Sequence, residues 1–215
     1  MIKSTDISYQ LLAASLEPLL SLLQKEPDFF EATDKSKKIL TKSLSSELST
    51  YLLQLSKADF LHQMFALFLH NALVNKLSEV LMQDACAALL KAHDQLPDNF
   101  GSLSIAQKES FTDEIPISTG IKDLLLNYNW PELESAMHNL IAASESQLHT
   151  VIIEVPRELT NEMRQKMRNK YQPNIVFFHL NPALLGGLRV LENGKMFDYS
   201  WSSKIQQWAN QSFPF

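Results

Sequence analysis

Asn181-Pro182-Ala183-Leu184-Leu185-Gly186-Gly187, running on into Leu188-Arg189-Val190-Leu191, Glu192-Asn193-Gly194-Lys195 and Met196-Phe197-Asp198-Tyr199, decides how the last third of the chain folds. Its first seven residues hold two of the five glycines in the 215-residue sequence. Proline fixes one backbone angle, and paired glycines permit positive angles or close backbone approach. A glycine-rich turn cradles phosphate by feeding directly into a helix whose free amides face the anion. These glycines feed instead into a strand-like run, a tight Asn-Gly turn and a returning run. The stretch therefore reads as a structural crossover into a hairpin, not as a ligand loop.

Working outward, Thr150-Val151-Ile152-Ile153-Glu154-Val155 is short and β-branched, Thr160 to Tyr171 is a basic amphipathic helix, and Asn174 to Leu180 is a second strand. Strand, helix, strand predicts a parallel pair with a right-handed crossover. Trp201 to Gln211 reads as a closing helix bearing Ile205 and Trp208. Residues 149–215 are thus expected to form a small α/β module.

Upstream the pattern changes period. Leu11, Leu12, Leu16, Leu19, Leu20 and Leu23 recur at helical spacing, and Pro18 is expected to kink or split this segment. Thr33 or Asp34 can cap a short helix, and Ser56-Lys57-Ala58-Asp59 resembles a capping box opening another. A last strong segment runs from about Leu73 to Ala92. With no glycine before Gly101, residues 1–97 read as a multi-helix bundle whose leucines and phenylalanines make the core. Between Leu96 and Gly120 the periodicity breaks, and helical stretches resume near Ile121 and after Trp130-Pro131. Residues 98–148 are therefore a connecting region with additional helices, and the fold class is mostly α.

Composition narrows function. A net charge of −5 gives no basic footprint for nucleic acid. The single cysteine, Cys86, excludes an internal disulfide and sits in an apolar helical context where a buried, inert thiol is expected. No apolar run approaches the roughly 20 residues that span a bilayer. The early Asp6, with Glu17 and Pro18 interrupting the first apolar run, reads as no secretory signal. The six histidines lack metal-ligand spacing, and no Walker loop, dinucleotide fingerprint or nucleophile elbow is present in the sequence. No catalytic, cofactor-binding or metal-binding residue is expected. Arg164, Lys166, Arg168 and Lys170 on the crossover helix read as a solvated face, with an acidic partner or lipid headgroups as the functional alternative.

The loop from Asn181 to Gly187, the hairpin, Asp198-Tyr199-Ser200 and the helix with Ile205 and Trp208 together resemble the C-terminal region of the delta subunit of F-type ATP synthases, whose mitochondrial counterpart is the oligomycin-sensitivity-conferring protein. In that family the loop usually reads Asp-Pro-Ser-Leu-Ile-Gly-Gly, and Asp-x-Ser follows the hairpin. Leu159-Thr160-x-Glu162 matches the family's helix start, so the resemblance covers about Val151 to Trp208. It implies a non-catalytic stator: a six-helix bundle that binds N-terminal segments of the alpha subunits, and a C-terminal part that holds the b-subunit stalk. It further implies no cofactor, no nucleic acid, and membrane contact only through the complex, at the cytoplasmic face of the inner membrane or in the mitochondrial matrix of a eukaryote. Structural or interface roles would fall on Asn181, Pro182, Leu184, Leu185, Gly186, Gly187, Asp198, Ser200, Ile205 and Trp208.

This chain departs from that pattern where Asn181 replaces Asp, Ala183 replaces Ser and Tyr199-Ser200-Trp201 is bulkier, and in extra length around 97–148. Stalk proteins of V-type ATPases and type III secretion share a similar loop but carry long continuous helices, against which Pro18 and Pro27 argue. A free-standing helical adaptor and an enzyme whose site assembles only in three dimensions are the readings from other classes.

Overall fold

Side-chain caps and leucine spacing set the helices of the N-terminal part. A computed structural model describes residues 4–69, 75–143, 150–172, 174–192 and 194–212, with the side chains of 4–6, 43, 68–69, 143 and 207–212 outside the description. The chain divides into two compact units, Met1–Ser146 and Gln147–Phe215. The first contains α1 (Ser4–Lys25), α2 (Asp34–Leu40), α3 (Ser46–Gln54), α4 (Lys57–Leu69), α5 (Lys76–His93), α6 (Ile105–Asp113), α7 (Thr119–Asn127) and α8 (Trp130–Ala143). Thr33 caps α2 by accepting the Ser36 amide, and Ser56 caps α4 by accepting the Asp59 amide at 3.1 Å while its hydroxyl meets the Asp59 carboxylate at 2.6 Å. The segment expected to start near Leu73 is helical from Lys76, behind an Asn75–Ser78 capping box; residues 70–74 lie outside the described residues.

α1 is the centre of this unit and packs against α5, α7 and α8. Leu11 and Leu19 on it are fully buried, as are Leu77, Leu81 and Leu89 on α5. Pro18 does not split it: α1 is one helix through the proline. Proline has no N–H to donate, which frees the carbonyl of Ala14 one turn back. The Ser118 hydroxyl, at the N-cap of α7, lies 3.4 Å from that carbonyl and donates to it. Glu17 accepts the Gly120 amide at 2.9 Å, and a Cβ on Gly120 would fall 2.6 Å from that of Ala14. The proline thus marks where α7 docks, and the neighbouring helix replaces the lost hydrogen bond.

Residues 98–148, expected as a connecting region, supply α6, α7 and α8, two of which lie along α1. α6 falls where the periodicity breaks and was not expected as a helix. Its sequence, Ile105-Ala106-Gln107-Lys108-Glu109-Ser110-Phe111-Thr112-Asp113, has no apolar stripe, and Ile105 is 69% exposed. A Ser104–Gln107 capping box starts it, so local backbone chemistry makes this helix rather than core burial. Cys86 is buried, and burial pushes its thiol up to about 12, so it is un-ionised at neutral pH.

The second unit contains β1 (Thr150–Val155), α9 (Asn161–Lys170), β2 (Ile175–Leu180), β3 (Arg189–Glu192), β4 (Lys195–Asp198) and α10 (Trp201–Ser212). Strand order is β2-β1-β3-β4, with β1 and β2 parallel and the remaining pairs antiparallel. Val151, Ile153, Val155, Val176 and Val190 form the core against Leu159 and Met167. The protein is mostly helical, with N-terminal helices followed by a small sheet module containing a strand-helix-strand unit and a hairpin. Gly194 has φ +72°, and Asn193 of the expected Asn-Gly turn lies outside the described residues. Arg168 on α9 turns toward the sheet, donating to the Val176 carbonyl and lying 5.0 Å from the centre of the Phe178 ring. The basic face expected on this helix is therefore partly committed to its own module.

Asp84 on α5 gives the N-terminal unit a pH signature. Desolvation raises its carboxyl above the usual carboxylate range, against a hydrogen bond from Ser45 that lowers it, while Glu47 adds to the rise. A raised folded-state value means that its contribution to stability is full below the unfolded value of about 4 and is lost as pH climbs through the folded one. Asp84→Asn, which can still accept from Ser45, is expected to raise Tm at pH 7. Thermal melts across pH should show that gain shrinking toward pH 3.5; a constant gain would remove the ionisation argument.

Candidate functional site

Sheet register builds a line of charge across the C-terminal module. Glu154 of β1 lies opposite Arg189 of β3, and Arg189 lies opposite Asp198 of β4. Arg189 Nη1 is 3.0 Å from Glu154 Oε2, while Nη2 and Nε reach Asp198 Oδ2 at 3.1 and 3.2 Å. All three side chains are about three-quarters shielded from water, at 22–27% exposure, so the forked guanidinium is held between two carboxylates with little freedom. Ser200 donates to Asp198 and, with Arg189, holds its carboxyl below the usual range; Asp198 and Glu154 in turn hold Arg189 above its own.

The loop that opens the C-terminal reading is tied to this line at both ends. The Asn181 amide nitrogen of the main chain donates to the Val155 carbonyl at 2.7 Å. Its side chain does two things: Oδ1 accepts the Ala183 amide, and Nδ2 donates to Glu154 Oε2 at 2.9 Å. Asparagine fits here because an aspartate would set a second carboxylate against Glu154, which already accepts from Arg189. Pro182 begins a single 3-10 turn that buries Leu184.

Leu185 then adopts φ +59°, a left-handed conformation uncommon for a branched residue, and is 73% exposed. Gly187 follows with φ +75°, and a Cβ there would fall 2.3 Å from the Tyr199 carbonyl oxygen and 3.0 Å from Ser200 Cα. No side chain fits between those backbones. Around this approach, the Tyr199 amide donates to the Leu188 carbonyl at 2.9 Å and the Trp201 amide to the Gly186 carbonyl at 3.0 Å. Ser200 is fully buried, and its hydroxyl accepts the Ser203 amide to cap α10.

The expected residues Asn181, Pro182, Leu184, Leu185, Gly186, Gly187, Asp198 and Ser200 therefore meet in one joint between the sheet and α10. Ile205 lies a turn along α10, 57% exposed, and the side chain of Trp208 lies outside the described residues. Trp201 stacks its indole near Gly186 yet remains 62% exposed. Leu185, Trp201 and Ile205 are thus exposed apolar side chains on the loop and on α10. The charged groups of the joint are spent on one another.

Glu154 and Arg189 were not among the expected site residues. Their signal is faint but present: Glu154 is the one charge in the β-branched run 150–155, and Arg189 is the one arginine outside 157–168. No protein-family model matches the chain, and no curated protein aligns with it.

Gly187→Ala is expected to cost about 2–4 kcal/mol, combining a strained positive φ with displacement of a backbone carbonyl. Gly194→Ala is the control, since it shares the positive φ but would meet nothing within 4 Å; about 1 kcal/mol is expected there. Equal losses by urea denaturation would show that conformation alone, and not the approach to Tyr199, makes glycine necessary at 187.

Proposed function

We propose that the protein is a non-catalytic peripheral-stalk subunit, a stator that links the catalytic head of a rotary F-type ATP synthase to its membrane-anchored stalk. The observation that carries this reading is the joint itself. The residues resembling the delta-subunit pattern, Asn181 to Gly187 and Asp198-Tyr199-Ser200, converge on a single braced bend, and Leu185 in it and Trp201 and Ile205 on the helix that follows are exposed. A stator transmits torque without turning, which calls for stiff joints and broad contacts rather than reactive groups.

Under this reading the helical bundle meets the alpha subunits of the head and the C-terminal module meets the b-subunit stalk, with no cofactor and no nucleic acid. The membrane is reached only through the complex, on the cytoplasmic side of the inner membrane or in the matrix if the source is a eukaryote. No helix among the described residues is long and apolar enough to cross a membrane.

The test is affinity purification of a tagged copy from detergent-solubilised membranes of the source cell. Alpha and b subunits are expected in fixed proportion to the tagged chain. Trp201→Asp combined with Ile205→Asp, at exposed positions, should lower b-subunit recovery at least tenfold while alpha recovery is kept. An ATPase purified intact without this chain would defeat the proposal.

A further inference from the structure

The sheet ends at β4 in an open edge. With strand order β2-β1-β3-β4, β4 has a neighbour on one side only. Met196 and Phe197 on it and Tyr199 after it are 62%, 42% and 56% exposed, and Lys195 is exposed beside them. The Tyr199 amide donates inward to the Leu188 carbonyl, next to the Arg189–Asp198 pair. Main-chain groups alternate sides along an antiparallel strand, so Lys195 and Phe197 also bond inward to β3, while the N–H and C=O of Met196 and Asp198 point outward. Among the described residues no hydrogen bond engages those outward groups. Neither a proline nor a bulge blunts the edge, since β4 pairs residue for residue with β3.

We propose that β4 pairs antiparallel with β4 of a second copy of this chain, joining the two sheets about a two-fold axis at Phe197. Such an axis is perpendicular to the sheet and keeps each side chain on its own face, so odd positions oppose odd and even oppose even. Centring the pair on Asp198 would set two carboxylates face to face. Centring it on Met196 would set Asp198 against Gly194, which lies in the turn. Centring it on Phe197 lets Met196 of one copy exchange both bonds with Asp198 of the other, and brings the two phenyl rings together in the close, non-hydrogen-bonded pair. Lys195 then falls opposite the exposed Tyr199 of the other copy, ammonium against ring. In that one register the edge complements itself in hydrogen bonds and charge, and this selects a second copy over a foreign strand. The inference goes beyond the stator reading and does not depend on it.

The experiment uses the full chain. Sedimentation velocity from about 5 to about 500 µM is expected to show a reversible monomer–dimer equilibrium. Met196→Pro removes an outward N–H while leaving the β3 ladder intact, and should weaken association at least tenfold. Phe197→Lys, which sets two ammonium groups opposite each other, should do the same. Phe65→Ser, at a similarly exposed apolar position on α4, should leave it unchanged. Register is read by crosslinking, because Cys86 is buried with an un-ionised thiol and an introduced cysteine reacts alone. Opposed Cα atoms of a non-hydrogen-bonded pair are about 4.5 Å apart, within reach of a disulfide, whereas the diagonal between the two copies of position 196 is about 7–8 Å. Phe197→Cys should therefore form a disulfide-linked dimer in oxidised glutathione at least tenfold faster than Met196→Cys. Circular dichroism melts confirm that the variants fold. A chain that stays monomeric throughout, an equal loss for Phe65→Ser, or equal crosslinking by the two cysteine variants would overturn the proposal. So would a monomer that takes up an extended peptide at this edge in place of its own copy.

Discussion

The contact between Gly187 and the carbonyl of Tyr199 sets the shape of the C-terminal unit. At that point the chain leaving β2 passes so close to the chain entering α10 that a methyl group would fall 2.3 Å from an oxygen. Once the backbones are that close, the amides of Tyr199 and Trp201 find carbonyls on the loop, Ser200 is buried as the cap of α10, and Asp198 lies beside Arg189. The charges across β1, β3 and β4 then hold the loop's first residue through Glu154 and Asn181. Each of these interactions is modest alone. They constrain one another because all of them require the same backbone path.

The helical unit solves a similar problem by similar means. Pro18 removes a donor from the middle of α1, and Gly120 removes a side chain from the start of α7. The two omissions face each other, so the Ser118 hydroxyl serves the freed Ala14 carbonyl while the Gly120 amide reaches Glu17. In both units a residue that would weaken regular structure is used where two backbones must come close. Joints of this kind resist displacement without any single strong bond.

Much of this was legible in the sequence because the relevant signals are local. Leucine spacing located the bundle helices, β-branched runs located β1 and β2, and the glycine pair located the bend. Two features were not legible for physical reasons. α6 has no apolar stripe, since caps and not burial make it, and hydrophobic periodicity is blind to such a helix. The continuity of α1 through Pro18 depends on a hydroxyl a hundred residues away, which no local pattern encodes. The bracing pair Glu154 and Arg189 was hidden similarly, because their meeting is set by strand register and not by sequence distance. The Asn181 departure from the delta-subunit pattern acquires a reason only once its side-chain amide is seen donating to Glu154.

That the 181–187 bend is a fixed joint and not a mobile loop is tested most directly by amide hydrogen exchange read by mass spectrometry or NMR on the full chain. The amides of Asn181, Tyr199 and Trp201 should exchange as slowly as those of the central strand β1, because they open only when the sheet opens. Exchange of those three amides at the rate of an unprotected loop, while β1 stays protected, would contradict the account.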